Sequence, residues 1–318
     1  MTLALYTHPA CLEHNPGRGH PECPARLAAV IEALRHAYPH LQWHESPAAS
    51  RSQLARVHTD ALIADVLDVP IHGLQRLDAD TAMSAQSPEA ALRAAGAALA
   101  AVDAVIAGEA QRAFCATRPP GHHATADTAM GFCLFNNVAV AAAHALEQHG
   151  LARVAIADFD VHHGNGTQDI FAADPRVLYL SSHQSPLYPG TGAAAEHGVG
   201  NIVNAPLPPR SGSDAFRAAW MQHLLPALDA FGPELLLVSA GFDAHRLDPL
   251  ADMNLEADDY AWITRELCAL ADRHAQGRVV SLLEGGYSLS ALRECSVAHA
   301  GALLSDTQPT DERVLVID

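Results

Sequence analysis

The feature that most constrains this chain is a repeated pattern in which a short apolar run is followed at once by charged, His and Gly residues. Four runs show it: Ala113–Thr117, Val154–Phe159, Leu235–Ala240 and Val279–Leu283. Continuous apolar runs of this length are typical of strands in a parallel sheet that is covered on both faces. Ligands of such sheets bind just beyond the carboxyl ends of the strands. We therefore expect the four polar clusters to meet along one edge of a single sheet.

Strand-like and Ala-rich helix-like segments alternate along the whole chain. This alternation predicts one α/β domain spanning residues 1–318, with a mostly parallel central sheet flanked by helices. Ser87 is expected to cap a helix that has Pro88 at its first position. Further strands are predicted at Leu3–Tyr6 and Val177–Leu180, and helices at Pro24–Ala37, Pro88–Ala107, Val138–Gln148, Asp214–Ala230, Ala257–Arg273 and Leu289–Leu303.

Composition narrows the classes of function. Hydrophobic residues make up 49% of the 318, which supports a large core and argues against disorder. The chain has 19 basic residues, all of them Arg, against 36 acidic ones, and its formal charge is −17. A nucleic-acid binder needs a basic face, so we expect no nucleic-acid partner. No apolar run reaches the roughly 18–20 residues of a membrane span, and no secretory signal is evident. We therefore expect a cytoplasmic protein without a membrane segment.

Two of the clusters and their neighbour contain the donors of a metal site. Asp160 and His162 are two residues apart on an extended segment, so their side chains face the same side. Asp243 follows another strand and can approach from there. Catalytic zinc takes about three protein ligands from His, Asp, Glu or Cys and keeps one position open. The Asp–His–Asp set is therefore a candidate hydrolytic metal site.

The remaining polar residues supply proton transfer and charge stabilisation. His122 and His123 provide two imidazoles, and an imidazole near a metal suits a general base at neutral pH. Each needs an acceptor that fixes its tautomer, and Asp158 and Asn165 are available. Hydrolysis of an acyl group builds an oxyanion, which the hydroxyl of Tyr287 can stabilise as a hydrogen-bond donor.

Four ordered segments resemble the signature motifs of the histone deacetylase family, which includes bacterial deacetylase-like amidohydrolases and acetylpolyamine amidohydrolases. These segments are Arg118–His123, Asp158–Gly166, Gly241–Asp243 and Glu284–Tyr287. The resemblance begins near His20 and runs to beyond Tyr287. It implies the arginase–deacetylase fold and a zinc-dependent deacylase that hydrolyses the acyl-amide of acetyl-lysine or a similar N-acyl amine.

The resemblance also assigns roles in the reaction. It implies that Asp160, His162 and Asp243 hold one catalytic Zn²⁺, that His123 is the general base, and that His122 is its electrostatic partner, held by Asp158. Tyr287 is implied as the oxyanion donor. Asn165 stands where class I members carry Asp, which resembles class II, and it faces His123 as an uncharged partner.

A structural potassium ion and a substrate tunnel follow from the same resemblance. Potassium is implied at the side chains of Asp158 and Ser181 and at carbonyls that include those of Asp160, His162 and Ser182. The tunnel is implied to have Phe132 and Tyr188 as its walls, with the Gly131 carbonyl accepting the scissile N–H, His20 at the mouth, Ser87 as a candidate rim residue and Arg26 near an internal channel.

Substrate identity stays open between related amides. Leu250 occupies a position where a polyamine-specialised relative has Glu, which favours acyl-lysine. The alternatives are an acetylpolyamine or other small acyl-amide amidohydrolase and, in a different class, a non-catalytic protein that binds acyl-lysine. The resemblance includes dimers and tetramers, so a homo-oligomer is a further expectation.

Overall fold

The computed structural model describes residues 2–305 and leaves Met1 and residues 306–318 outside the description. Ten strands are present in this range: β1 (Leu3–Thr7), β2 (Trp43–Glu45), β3 (Gln75–Arg76), β4 (Ala82–Met83), β5 (Arg112–Cys115), β6 (Val154–Asp158), β7 (Val177–Gln184), β8 (Ile202–Leu207), β9 (Leu235–Ala240) and β10 (Val279–Leu283). Eight of them form one sheet in the order β2-β1-β5-β10-β9-β6-β7-β8, and β3 pairs only with β4.

Every neighbouring pair in the large sheet is parallel. Helices connect the strands: α1 (Ala10–Glu13), α2 (Pro24–Ala37), α3 (Arg51–Leu54), α4 (Asp60–Leu67), α5 (Ser87–Ala107), α6 (Asn137–Glu147), α7 (Asn165–Phe171), α8 (Ser213–Ala219), α9 (Leu225–Phe231), α10 (Ala257–His274) and α11 (Leu289–Leu304). This architecture confirms the predicted α/β fold with its mostly parallel central sheet.

The sheet is buried on both faces, which explains its continuous apolar strands. In β6, Val154 and Ile156 belong to one hydrophobic cluster, whereas Ala155 and Ala157 belong to the cluster on the other face. Alternate residues of a strand point to opposite faces, so a strand between two layers of helix needs apolar side chains at every position.

Both edge strands escaped the sequence prediction for visible reasons. The Trp43–Glu45 strand is only partly buried, and its short sequence carries two polar residues. In the Ile202–Leu207 strand, Asn204 and Pro206 interrupt the apolar run. Edge strands need neither full burial nor a complete set of N–H donors, so their sequences give a weaker signal.

The helix predicted over 214–230 is not continuous. α8 passes into a π-helical turn at Trp220–Leu224 before α9 begins. Pro226 has no N–H and cannot form the usual helical hydrogen bond, and a π turn is one way of accommodating such a break.

Ser87 does not cap helix α5, and this prediction was wrong. Gln86 holds the cap position, and Ser87 is the first helical residue, with its side chain fully buried. The Ser87 hydroxyl lies 2.7 Å from Nδ1 of His14 and accepts a hydrogen bond from the Ser84 backbone N–H at 2.8 Å. A buried hydroxyl with these partners does not form part of a substrate rim.

Helix α5 also corrects the statement that no segment is long enough to span a membrane. Within residues 2–305 it is the one helix whose length, 21 residues, and apolar composition suffice for a span. In the structure 67% of its most apolar stretch is buried, and residues such as Ala94 and Leu99 pack into the core. Such burial is typical of a core helix, since Ala-rich sequences suit tight packing as well as lipid.

Candidate active site

The four polar clusters lie together because the strands that precede them are neighbours. Strands β5, β10, β9 and β6 are consecutive in the sheet. All run in the same direction, so their carboxyl ends open onto one edge, as the sequence pattern predicted. Four loops, each following one of these strands, build the site.

Asp160, His162 and Asp243 form a compact trio at this edge. The His162 Nδ1 atom lies 3.2 Å from Asp160 Oδ1 and 3.1 Å from Asp243 Oδ2. Backbone N–H groups hold the other carboxylate oxygens: Gly285 donates to Asp160 Oδ2 and Val161 donates to Asp243 Oδ1, both at 2.8 Å. The donor atoms of the trio all lie within 4.8 Å of one another.

The glycines of two motifs make room for these carboxylates. A Cβ atom on Gly241 would lie 2.0 Å from Asp160 Oδ2, and one on Gly285 would lie 2.0 Å from Asp243 Oδ2. Neither position tolerates a side chain, because the displaced atoms belong to buried carboxylates whose orientation is fixed by the backbone.

The trio fits a zinc ion in donor chemistry and in charge. Asp160 and Asp243 are both 0% exposed and His162 is 8% exposed. Burial by itself lowers the pKa of His162, yet the two carboxylates outweigh it and raise the pKa to about 10. Two buried carboxylates around one imidazole create a strongly negative position that favours a cation, and carboxylate oxygen with imidazole nitrogen is a donor set that zinc accepts.

A second group with metal-ligand spacing, Asp103, His144 and His149, is better explained as an ion network. Both His Nε2 atoms lie 2.7 Å from Asp103 Oδ1. Arg56 Nη1 lies 2.7 Å from His144 Nδ1, and since a guanidinium only donates, that nitrogen must accept. The proton of neutral His144 is then on Nε2, the atom that a metal ion would need.

His122 is held as a cation between carboxylates. Its Nδ1 lies 3.0 Å from Asp158 Oδ2, which also accepts a hydrogen bond from the Tyr179 hydroxyl at 3.0 Å. Burial alone lowers the pKa of His122, but Asp158, Asp160 and Glu284 outweigh it and raise the pKa to about 10. The neighbouring imidazole of His123 therefore faces a positive charge.

His123 is arranged to be a neutral base. Its Nδ1 lies 2.8 Å from Asn165 Oδ1, and an amide oxygen can only accept, so His123 donates from Nδ1 and keeps the Nε2 lone pair free. Burial lowers the pKa of His123 well below 6.5, and repulsion from His122 and His162 adds to the effect. The predicted pairing of His123 with Asn165 is present in the geometry.

A pocket of about 210 Å³ leads to these groups. Its lining joins the trio and the base to an aromatic passage: Asp80, His123, Gly131, Phe132, His162, Leu187, Tyr188, Leu250 and Tyr287. The residues predicted to form the tunnel thus line one cavity. His20 lies beside it, since its ring packs edge-on against Phe132 at 4.6 Å and its Nε2 donates to the Asp80 carbonyl at 3.0 Å.

Tyr287 has the surroundings of a protonated hydroxyl donor. Burial raises its pKa well above 10, and although Arg26 opposes this shift, Asp243 and Asp160 reinforce it. The Arg26 guanidinium lies 4.8 Å from the centre of the Tyr287 ring. The same guanidinium donates to the Glu284 carbonyl at 2.6 Å, which ties α2 to the loop that carries Tyr287.

The side chains predicted to hold potassium all have protein partners. Asp158 Oδ1 accepts the Asp160 N–H at 3.1 Å. The Ser181 hydroxyl lies 2.9 Å from His183 Nδ1, and the Ser182 hydroxyl accepts the Trp220 indole N–H at 3.0 Å. These contacts satisfy the groups without an ion, so potassium stays a prediction.

Two buried carboxylates have supporting roles that spacing did not indicate. Glu284 Oε2 accepts the N–H groups of Gly121 and His122, at 2.7 and 3.2 Å, and so fixes the backbone beside the His pair. Glu22 is 0% exposed and accepts from Arg26 at 2.8 Å and from Arg118 at 2.6 Å. Both act on groups far away in sequence, which is why only the folded structure reveals them.

Comparison with known proteins gives one family throughout. A family model described as the histone deacetylase domain matches residues 20–303. The chain is 42% identical over 283 residues to the histone deacetylase-like amidohydrolase of Pseudomonas aeruginosa, covering 87% of this chain and 74% of that protein. It is 38% identical over 297 residues to a probable deacetylase of Archaeoglobus fulgidus, covering 91% and 82%. The solved HDA15 HD domain matches with a TM-score of 0.91 and 35% identity, over 96% of this chain and 89% of that one.

Proposed function

The chain belongs to the histone deacetylase family of deacetylases and amidohydrolases, and from this membership we propose that it is a zinc-dependent deacylase acting on acyl-lysine or a related N-acyl amine. The observation that carries the proposal is the position of the Asp160–His162–Asp243 trio beside His123, with His162 and His123 lining the same pocket as Tyr287.

The reaction adds water across an amide and yields a carboxylate and an amine. Asp160, His162 and Asp243 would hold the zinc ion, which when bound supplies Lewis acidity toward the acyl carbonyl and the attacking water. The free Nε2 of His123 accepts a proton from the water, and the same nitrogen then protonates the departing amine. Asn165 keeps His123 in the tautomer that this sequence of steps requires.

Two groups stabilise charge and orientation during the reaction. The protonated hydroxyl of Tyr287 donates to the oxyanion as it develops. Phe132 and Tyr188 hold the aliphatic stem of the substrate, and the Gly131 carbonyl accepts the scissile N–H. The positive charge of His122, balanced by Asp158, lowers the proton affinity of His123 and so helps it to release the proton to the amine.

An acetylpolyamine is the alternative substrate, and one contact of the pocket favours it. Asp80 lines the cavity, and a carboxylate at this position attracts a second ammonium group of a polyamine. Leu250 lines the same cavity and offers no charged partner, which favours acyl-lysine. A cytoplasmic location and the absence of a nucleic-acid partner are further parts of the proposal.

A substrate panel with zinc analysis tests the proposal. Zinc-loaded protein is assayed for kcat/KM with acetyl-lysine peptides, longer acyl-lysine peptides, acetylputrescine and acetylspermidine. We expect hydrolysis of the lysine substrates, its loss in Asp243→Ala, and wild-type rates in the control Asp252→Ala, whose carboxylate is 60% exposed. Binding of acyl-lysine without turnover supports a non-catalytic binding protein, and faster turnover of the polyamines reverses the substrate assignment.

A further inference from the structure

The carboxylate of Asp248 joins two parts of the pocket that lie far apart in sequence. Its Oδ2 accepts the backbone N–H of Tyr287 at 2.7 Å, and its Oδ1 accepts the backbone N–H of Leu250 at 2.9 Å. Asp248 is only 7% exposed, and its own N–H donates to the His245 carbonyl at 2.8 Å. One nearly buried group therefore sets the backbone at both Tyr287 and the pocket wall.

Tyr287 depends on this anchor more than its neighbours do. Two glycines precede it, and Gly286 has φ +115, a conformation that residues with a side chain rarely adopt. Gly285 is fixed through the Asp160 carboxylate, whereas the described contacts give the Tyr287 N–H no acceptor other than Asp248. Without it, the segment before the Ser288 helix cap gains the freedom that glycine allows.

A carboxylate suits this position better than a neutral side chain. Both of its oxygens accept, and hydrogen bonds to a charged acceptor are roughly twice as strong as neutral ones. An amide at the same place presents one oxygen and one NH₂ group, so it can serve only one of the two N–H groups and repels the other.

We propose that Asp248 is a positioning residue that holds Tyr287 at the place where its hydroxyl meets the oxyanion, and that ties this placement to the pocket wall at Leu250. The inference rests on the proposed deacylase function. Asp248 touches neither the substrate nor the metal ligands' donor atoms in this scheme, and it acts through the backbone of Tyr287.

A double-mutant cycle with Tyr287→Phe tests the inference. In the otherwise wild-type protein, Asp248→Asn should lower kcat about 10- to 100-fold with little change in KM, because misplacing a catalytic group by about 1 Å costs this much. In the Tyr287→Phe background the same substitution should change kcat by less than about twofold, since the hydroxyl that it positions is already gone. Zinc content should equal that of the wild type in all variants.

A second variant and a matched control complete the design. Asp248→Glu keeps the charge but moves the carboxylate, so it should lower kcat in the same non-additive way; this variant carries the cycle if Asp248→Asn does not fold. Asp252→Asn removes an exposed carboxylate from the same loop and should leave kcat unchanged.

Three results would overturn the inference. Equal losses in both backgrounds indicate a role unrelated to Tyr287. Loss of zinc from Asp248→Asn indicates an effect through the neighbouring Asp243. A wild-type protein that hydrolyses none of the substrates refutes the proposed function, and this inference with it, whereas additive losses in an active enzyme refute this inference alone.

Discussion

His299 provides a quantitative test of how burial couples stability to pH. The side chain is 0% exposed, and its Nδ1 lies 2.6 Å from the Thr264 hydroxyl. That hydroxyl donates to the Tyr260 carbonyl at 2.6 Å, so it must accept from His299 Nδ1–H. Nε2, which is 2.8 Å from the Ser281 hydroxyl, therefore accepts. Both nitrogens are satisfied only in the neutral ring, and burial lowers the pKa of His299 to about 3.

The magnitude follows from proton linkage. A pKa that is lower in the folded state than the ordinary value of about 6.5 means that the unfolded chain binds the proton first as pH falls. The contribution to stability is complete above that ordinary value and declines below it until the folded pKa is reached. Between pH 7.5 and pH 5, the free energy of unfolding should fall by about 2 kcal/mol from this residue alone.

Urea unfolding of wild type and His299→Gln at the two pH values measures this term. The variant cannot titrate there, so its loss between pH 7.5 and pH 5 should be about 2 kcal/mol smaller than that of the wild type. Using the difference between proteins removes the pH dependence that both share, including metal binding. The exposed His223→Gln is the control and should behave as the wild type. Equal losses in wild type and His299→Gln would refute the reasoning.

Three further outcomes concern the site. Tyr287→Phe should lower kcat by about 10²- to 10³-fold at unchanged zinc content, measured by steady-state kinetics and metal analysis. Gly131→Ala should lower kcat/KM by about 100-fold in a folded protein, because its Cβ would lie 2.5 Å from the His123 ring; a near-normal rate contradicts the placement of the base. Glu22→Gln should cost about 3–5 kcal/mol in urea unfolding, since it leaves two buried arginines without their shared carboxylate, and a loss under about 1 kcal/mol contradicts this account.

The sequence predicted the parts of the fold that depend on local pattern. The bounds of Pro24–Ala37, Leu235–Ala240 and Val279–Leu283 agree between prediction and structure. Convergence of the polar clusters was also predictable, because parallel strands place their carboxyl ends along one edge. Edge strand β8 was missed, since polar residues interrupt its apolar run.

The roles of several residues depend on partners that spacing cannot reveal. Ser87 reads as a helix cap from its neighbours, yet His14, 73 residues away, takes its hydroxyl into the core. Glu284 serves backbone N–H groups 162 and 163 residues away, and Asp248 serves one 39 residues away. A backbone donor leaves no trace in the sequence, so such partnerships become visible only after folding.

The position of β10 imposes an order on assembly. This strand is the last of the sheet to be made, but it lies between β5 and β9, so until it arrives the sheet is two separate ribbons. The ribbon of β9, β6, β7 and β8 carries Asp160, His162 and Asp243, whereas the ribbon ending in β5 carries the His pair. A growing chain thus has all three candidate ligands on one ribbon before β10 joins the ribbons and brings Tyr287 with it.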